Sequence, residues 1–217
     1  MEKNMEYENL IDSLIKDGYL KTPEIIEAFK AIDRANFVSN ELKGDAYLNV
    51  PLSIGFGQTI SQPLTVAFML ELLQPKKGEK ILDVGAGSGW TIALLAFIVG
   101  DPPAGGGKII GVERIPELKE MAEKNIFQYG FMEKGIVSLF LGDGSKGYKE
   151  EALYDKIIAA AAAKEDIPAE WKKQLKIGGK IVAPVENSIV VIDKTGKDEY
   201  NKKEYFGFSF VPLITNN

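Results

Sequence analysis

Apolar positions recur at helical spacing at the start of the chain. Leu10, Ile11, Leu14 and Ile15 fall on one face of a helix predicted over residues 4–18, with Gly18 as its stop. Thr22 and Pro23 open a second, capped helix over residues 23–33, carried by Ile25, Ile26, Phe29 and Ile32. Asn36-Phe37-Val38 and the polar stretch to Asp45 read as loop or short helix. From Tyr47 to Pro63 the period is lost. Two prolines, two glycines and several hydroxyl residues there predict a long loop with one short strand at most, a kind of segment that often carries function. Leu64 to Leu73 is an apolar helix ended by Pro75 and Gly78.

Beyond residue 76 the pattern becomes short continuous apolar runs alternating with helical stretches. Ile81–Val84, Lys108–Glu113, Ile136–Leu141, Tyr154–Ala159 and Lys180–Val185 read as five buried strands. Thr91–Val99, Pro116–Tyr129 and Pro168–Lys176 read as helices between them. In the second, Leu118, Met121, Ala122 and Ile126 face inward and Gly130 is the stop; the third is stopped by Gly178-Gly179. Residues 101–107 form a turn-rich, exposed insert. Ser188–Lys194 and Tyr205–Leu213 read as an antiparallel pair joined around Thr195-Gly196-Lys197-Asp198. The predicted class is α/β: a doubly wound, Rossmann-like sandwich with a mostly parallel sheet, a C-terminal antiparallel strand pair and an N-terminal helical extension. One domain over residues 1–217 is expected, residues 1–75 supplying helices and loop and residues 76–213 the ligand-binding core. The extension is either a brace packed on the core or a lid.

Ligands in such folds sit at the carboxyl ends of the strands, and the chemistry-bearing residues fall there. The first strand runs into Asp83-Val84-Gly85-Ala86-Gly87-Ser88-Gly89-Trp90. Glycines allow a sharp turn and a close ligand approach, and the following helix offers free N–H groups. A dinucleotide fingerprint wants a third glycine where Trp90 stands, and tryptophan there would wedge helix from strand. The G-x-G-x-G spacing, two residues after Asp83, is instead the turn of Rossmann-like methyltransferases that use S-adenosylmethionine. Gly85 and Gly87 are the candidate backbone contacts. Glu113, one βαβ step on, is placed to bind ribose hydroxyls. Asp143, between Gly142 and Gly144, can reach an adenine amino group. Ala159–Ala163 favours helix by propensity, yet after a buried strand its short side chains suit a ligand lying against the backbone.

Composition narrows the chemistry. The 217 residues hold no cysteine and no histidine, which removes thiolate and imidazole catalysis and zinc motifs built on either; no metal is expected. The net charge of −5 argues against a general nucleic-acid binder. No apolar run is long enough to span a membrane and the first residues carry no apolar signal region, so a cytoplasmic protein is expected. A monomer is expected, though no residue pattern derives it.

Taken with Ile54-Gly55-Phe56-Gly57-Gln58-Thr59-Ile60-Ser61-Gln62-Pro63, these motifs resemble the protein-L-isoaspartate O-methyltransferase family from about Ala31 to Leu213. Val112–Leu118, Gly142-Asp143-Gly144, the alanine run and Phe210-Val211-Pro212-Leu213 follow in the family's order. The resemblance implies methyl transfer from S-adenosylmethionine to the free α-carboxylate of L-isoaspartyl residues in damaged proteins or peptides. It implies that Asp83 lies near the cofactor's methionine end, Glu113 at its ribose, and Asp143 with Gly144 on the adenine side. Thr59 and Ser61 would also touch the cofactor. Ser61 would be the catalytic-site residue beside the transferring methyl and the substrate carboxylate, and Ile60 and Val211 would hold the substrate backbone. On its residues alone Ser61 could equally cap the helix behind it. A carboxylate is already ionised at neutral pH and needs no general base, which agrees with the missing histidine. Glu186-Asn187, where the family usually has glycine and glutamine, and Lys164, where it usually has proline, are departures. They keep open a methyltransferase for another carboxylate, or a cofactor-binding module without turnover.

Overall fold

The computed structural model describes residues 5–100 and 106–215. Seven strands form one sheet in the order β5-β4-β3-β6-β7-β8-β9. These are β3 (Lys80–Val84), β4 (Lys108–Glu113), β5 (Val137–Leu141), β6 (Tyr154–Ala159), β7 (Leu175–Val185), β8 (Ser188–Lys194) and β9 (Tyr200–Phe206). The first five run parallel, and β8 and β9 add antiparallel at one edge. The predicted sandwich is therefore the observed one, but its layers are uneven. One face of the sheet carries α1 (Met5–Lys16), α2 (Pro23–Ala31), α3 (Pro63–Leu73), α4 (Trp90–Val99) and α5 (Pro116–Phe127); the other carries α6 (Ala169–Gln174), anchored by Trp171. Alternate strand residues serve the two cores, Ile81 and Ile109 facing the first, Leu82 and Ile110 the second.

The N-terminal helices are a brace. Tyr7, Leu10, Ile11 and Leu14 of α1 and Ile25, Ala28 and Phe29 of α2 are buried in the first core, although Ile15, predicted inward, is exposed. Thr22 stands at the N-cap of α2 but does not cap it with its side chain; its hydroxyl donates to Glu71 Oε2 at 2.7 Å. Trp90 does not wedge helix from strand. It opens α4 and turns toward α2, edge-on to Phe29 at 5.5 Å. The close helix approach falls one residue earlier: a Cβ on Gly89 would lie 3.0 Å from Ile126 Cδ1 and 3.2 Å from Ala122 Cα of α5.

Four boundaries differ from expectation. Residues 47–63 contain a hairpin of two strands, β1 (Leu52–Gly55) and β2 (Gln58–Ile60), because Leu52 pairs with Ile60 around the tight Gly55-Phe56-Gly57 tip. α6 stops at Gln174, and β7 begins at Leu175, so Gly178-Gly179 lie inside a strand rather than at a helix end. The last strand is Tyr200–Phe206; after Gly207, at φ +98°, the chain leaves the sheet, so Val211 is not in a strand. The alanine run is not helical: Ala159 ends β6, the chain bends at 160–161, and Ala162 bridges to Pro212 and Ala163 to Val185. Residues 101–105 of the predicted insert lie outside the described residues, while Gly107 at its end is buried and donates to Val99 O at 3.0 Å.

Candidate active site

The glycine turn between β3 and α4 is built from left-handed backbone. Gly85, Gly87 and Gly89 have φ of +87°, +52° and +88°, a region closed to most side chains. The N–H groups of Gly85 and Ala86 both donate to Val112 O, at 2.9 and 3.3 Å, which ties the turn to the end of β4. The Glu113 carboxylate completes the tie. Its Oε2 accepts from Gly87 N at 2.9 Å, and its Oε1 from Arg114 N at 2.8 Å and Ile115 N at 3.0 Å. Three of roughly four acceptor positions on that carboxylate are thus committed to backbone.

Asp83 has a different environment. Its residue is 2% exposed, and burial, followed by the neighbouring Glu113 charge, pushes its carboxyl up to about 8. A carboxyl raised this far holds its proton at neutral pH, and a cation placed beside it would draw the proton off.

Asp143 closes the third strand end. It caps the 3-10 turn Gly144–Lys146, accepting from Ser145 N at 3.0 Å and Ser145 Oγ at 2.6 Å, with Lys146 Nζ 3.7 Å away. Gly144 sits against Val84, where a Cβ would come within 2.5 Å of Cγ1.

A cavity runs across these strand ends. Of the predicted site residues, Thr59, Gly85, Gly87, Glu113, Gly144 and Val211 line it. Asp143 is next to that wall rather than part of it. Asp83 and Ser61 meet in an adjoining recess with Thr91, and Ala160 lines both spaces. Ile60 lines a further small space with Ser61, Gly85 and Gly87. Outward from Ser61 a cleft opens between Pro51, Gln62 and Thr65 on one side and Phe210 and Val211 on the other. The wall near Val211 is held by the alanine run: Ala162 N donates to Val211 O and Leu213 N to Ala162 O, both at 2.8 Å.

Ser61 does not cap α3. The cap position is Gln62, without a side-chain cap bond, and the free Leu64 N–H donates instead to Asn49 Oδ1 at 3.0 Å. The Ser61 carbonyl accepts from Arg34 Nη2 at 3.1 Å. Arg34, Asn49 and Thr91 were not among the residues singled out from sequence. Thr91 was detectable as the one hydroxyl in the apolar run Trp90–Val99. Arg34 was detectable by rarity: of 26 basic residues only Arg34 and Arg114 are arginine. Nothing local marks Asn49. Glu186, Asn187 and Lys164 are exposed and line none of these spaces. Glu186 holds a left-handed φ of +50° at the β7–β8 turn, and Asn187 O accepts from Gly207 N and Phe208 N where the C-terminal segment leaves the sheet.

The chain matches the family model described as "Protein-L-isoaspartate(D-aspartate) O-methyltransferase (PCMT)" over residues 5–217. It is 42% identical over 211 residues to the protein-L-isoaspartate O-methyltransferase of Methanopyrus kandleri, covering 95% of this chain and 90% of that one. The protein of the same name from Ignicoccus hospitalis is 44% identical over 210 residues, covering 94% and 95%. Among solved structures, a Plasmodium falciparum chain crystallised in complex with S-adenosyl-L-homocysteine superposes with a TM-score of 0.86 over 97% of this chain and 99% of that one; at 23% identity this likeness speaks for the fold. A protein-L-isoaspartate O-methyltransferase at 28% identity gives 0.82, covering 95% of this chain and 65% of that one.

Proposed function

The chain belongs to the protein-L-isoaspartate(D-aspartate) O-methyltransferase family, and from that premise we propose that it methylates the free α-carboxylate of L-isoaspartyl residues in damaged proteins and peptides, with S-adenosylmethionine as methyl donor. One observation carries the reading: family membership spans residues 5–217, and Asp83 and Ser61 converge on one recess beside the glycine turn.

The residues present fit the cofactor. Three left-handed glycines let a ligand come close to the backbone of the turn, Glu113 lines the cleft beside them, and Asp83 lies in the adjoining recess. When bound, S-adenosylmethionine supplies a methyl group on a cationic sulfur. In our reading Asp83 meets the ammonium of its methionine portion, which would favour the ionised form of that carboxyl. Glu113 has one acceptor position left for a ribose hydroxyl, and its other three bonds hold it still for that contact. Gly144, pressed against Val84, and Asp143 border the adenine side.

Ser61 stands where the recess meets the outer cleft. Its role here is to orient the substrate carboxylate by donating a hydrogen bond, not to take a proton, since a carboxylate arrives ionised. Thr59, Ile60 and Val211 border the path along which the peptide backbone would lie. Positioning of this kind is a sufficient lever for a reaction whose nucleophile is already charged. We place the enzyme in the cytoplasm, acting on peptides; the net charge of −5 supports a peptide rather than a nucleic-acid partner. No helix among the described residues is long and apolar enough to cross a membrane.

The experiment is a pair of peptides, one with L-isoaspartate and one with normal aspartate, incubated with methyl-labelled cofactor. Label should enter the isoaspartyl peptide and leave the other nearly bare, because normal aspartate presents its carboxylate one methylene further from the backbone. Misplacement by about 1 Å can cost on the order of a hundredfold in rate. Equal labelling of both would point to another carboxylate substrate.

A further inference from the structure

Arg34 is fully buried, at 0% exposure, and among the described residues it forms no ion pair. Its charge is met by carbonyls. Nη1 donates to Ala46 O at 2.7 Å and to Leu48 O at 3.3 Å; Nη2 donates to Val50 O at 2.9 Å and to Ser61 O at 3.1 Å. Three of the four acceptors alternate along residues 46–50, so that stretch wraps around the guanidinium. The fourth belongs to the residue at the mouth of the recess. The guanidinium also lies 5.4 Å from the Trp90 ring centroid, and Trp90 is followed by Thr91 of the same recess.

Ser61 has little else to fix it. β2 ends at Ile60 and α3 starts at Pro63, so residues 61–62 belong to neither ladder nor helix. Gln62 is tied to the first turn of α3, its O accepting from Val66 N at 3.1 Å and its Oε1 from Thr65 Oγ1 at 3.5 Å; across to other segments the links are Arg34 to Ser61 O and Asn49, whose O accepts from Gln62 Nε2 at 2.9 Å and whose Oδ1 accepts from Leu64 N just beyond. The stretch held in this way, residues 46–51, leads to Pro51 on the wall of the outer cleft. A planar fork of donors can span two chain segments and stack on an aromatic ring at once; a lysine ammonium of similar length cannot.

We propose that Arg34 is the positioning residue for methyl transfer: by holding the Ser61 carbonyl and the 46–50 carbonyls on one guanidinium, it sets the Ser61 hydroxyl against the recess and the cleft. This rests on the function proposed above. It acts through Ser61 and touches no reacting atom.

The test compares R34K and R34M with wild type and S61A, and crosses R34K with S61A. R34K keeps the charge and most of the packing, so it remains informative if R34M fails to fold. In R34K, kcat on the isoaspartyl peptide should fall about fivefold to tenfold, no more than removal of the Ser61 hydroxyl itself costs, while the cofactor Kd moves by less than about threefold. In the S61A background the same change should cost less than about twofold, since the residue it positions is gone. A kcat within about threefold of wild type, or a full multiplicative loss on top of S61A, overturns the proposal. Hydrogen exchange provides a second arm, read at a temperature where both proteins are fully folded. R34K should exchange faster at residues 46–51 and 58–64 and nowhere else; an unchanged map, or a uniform rise, overturns the positioning role. If the wild type labels no isoaspartyl peptide, it is the proposed function that falls, and the exchange map then decides on Arg34 alone.

Discussion

The two sides of the cavity are built on different principles. The glycine turn is made of neighbours: three glycines within five residues, tied to the next strand end by Val112 O and the Glu113 carboxylate. The Ser61 side is made of distant support, a guanidinium 27 residues earlier and an asparagine 13 to 15 residues away. One wall is fixed by hydrogen bonds to the adjacent strand end in a backbone shape that only glycine adopts readily. The other is fixed only while remote side chains hold it. The first kind of site tolerates almost no substitution in its own residues, and the second fails through residues that touch nothing reactive.

The largest effect expected from this contrast separates two glycines of like conformation. Gly89→Ala must accept both a left-handed alanine and a Cβ at 3.0–3.2 Å from α5, and should lose about 3 kcal/mol of stability. Gly57→Ala at the hairpin tip, φ +70° with nothing within 4 Å of the added carbon, should lose only about 1 kcal/mol. Denaturant midpoints measure both. Equal losses would mean that the turn is no more tightly packed than the hairpin.

Next in size is Asp83→Asn, which should weaken cofactor binding by about 2 kcal/mol, the scale of one charge-assisted hydrogen bond. Its stability effect has the opposite sign. The folded carboxyl titrates at about 8, above an unfolded value near 3.9, so the folded state binds the proton more tightly. Wild-type stability therefore declines as pH rises from about 4 to about 8, and the asparagine variant escapes that decline. Unfolding at pH 5 and pH 8 should show the variant's advantage growing with pH, and calorimetry should show proton release when the cofactor binds wild type. A pH-independent difference would place the Asp83 proton elsewhere.

On the other wall, Ser61→Ala should lower kcat about tenfold and leave cofactor Kd within about twofold. A fall in affinity matching the fall in kcat would make Ser61 part of the glycine-turn wall instead. The smallest effect lies outside both. Glu186→Gly relieves a left-handed φ of +50° at the β7–β8 turn and should stabilise by about 0.5–1 kcal/mol, with activity unchanged.

The same contrast explains what could be read before the structure was known. The parallel strands themselves, the turn and the acids at three strand ends follow from local pattern, because each is set by residues within one βα step. The final strand was misplaced by pattern alone. Tyr200–Phe206 is almost wholly exposed at the sheet edge and so lacks the apolar alternation that marks a strand, whereas Phe208 and Phe210 are apolar because they pack on the first core. The alanine run misleads in propensity for a similar reason, its partners Pro212 and Val185 lying far along the chain. The two hairpin strands in 47–63 were reduced to one at most, since three- and four-residue strands carry too few positions to show a period.

The Trp90 contact has a consequence for the order in which the molecule is made. Phe29 and Ile32 complete their packing on a tryptophan 58 residues beyond Ile32, its Nε1 donating to Ile32 O at 3.4 Å. A ribosome adding roughly 5–20 residues per second needs several seconds to cover that distance. Until then α1 and α2, of 12 and 9 residues, are too short to persist as isolated helices. Helices α1 and α2 thus leave the ribosome ahead of the residues that receive them, and their leucines and isoleucines stay uncovered while those residues are still being synthesised.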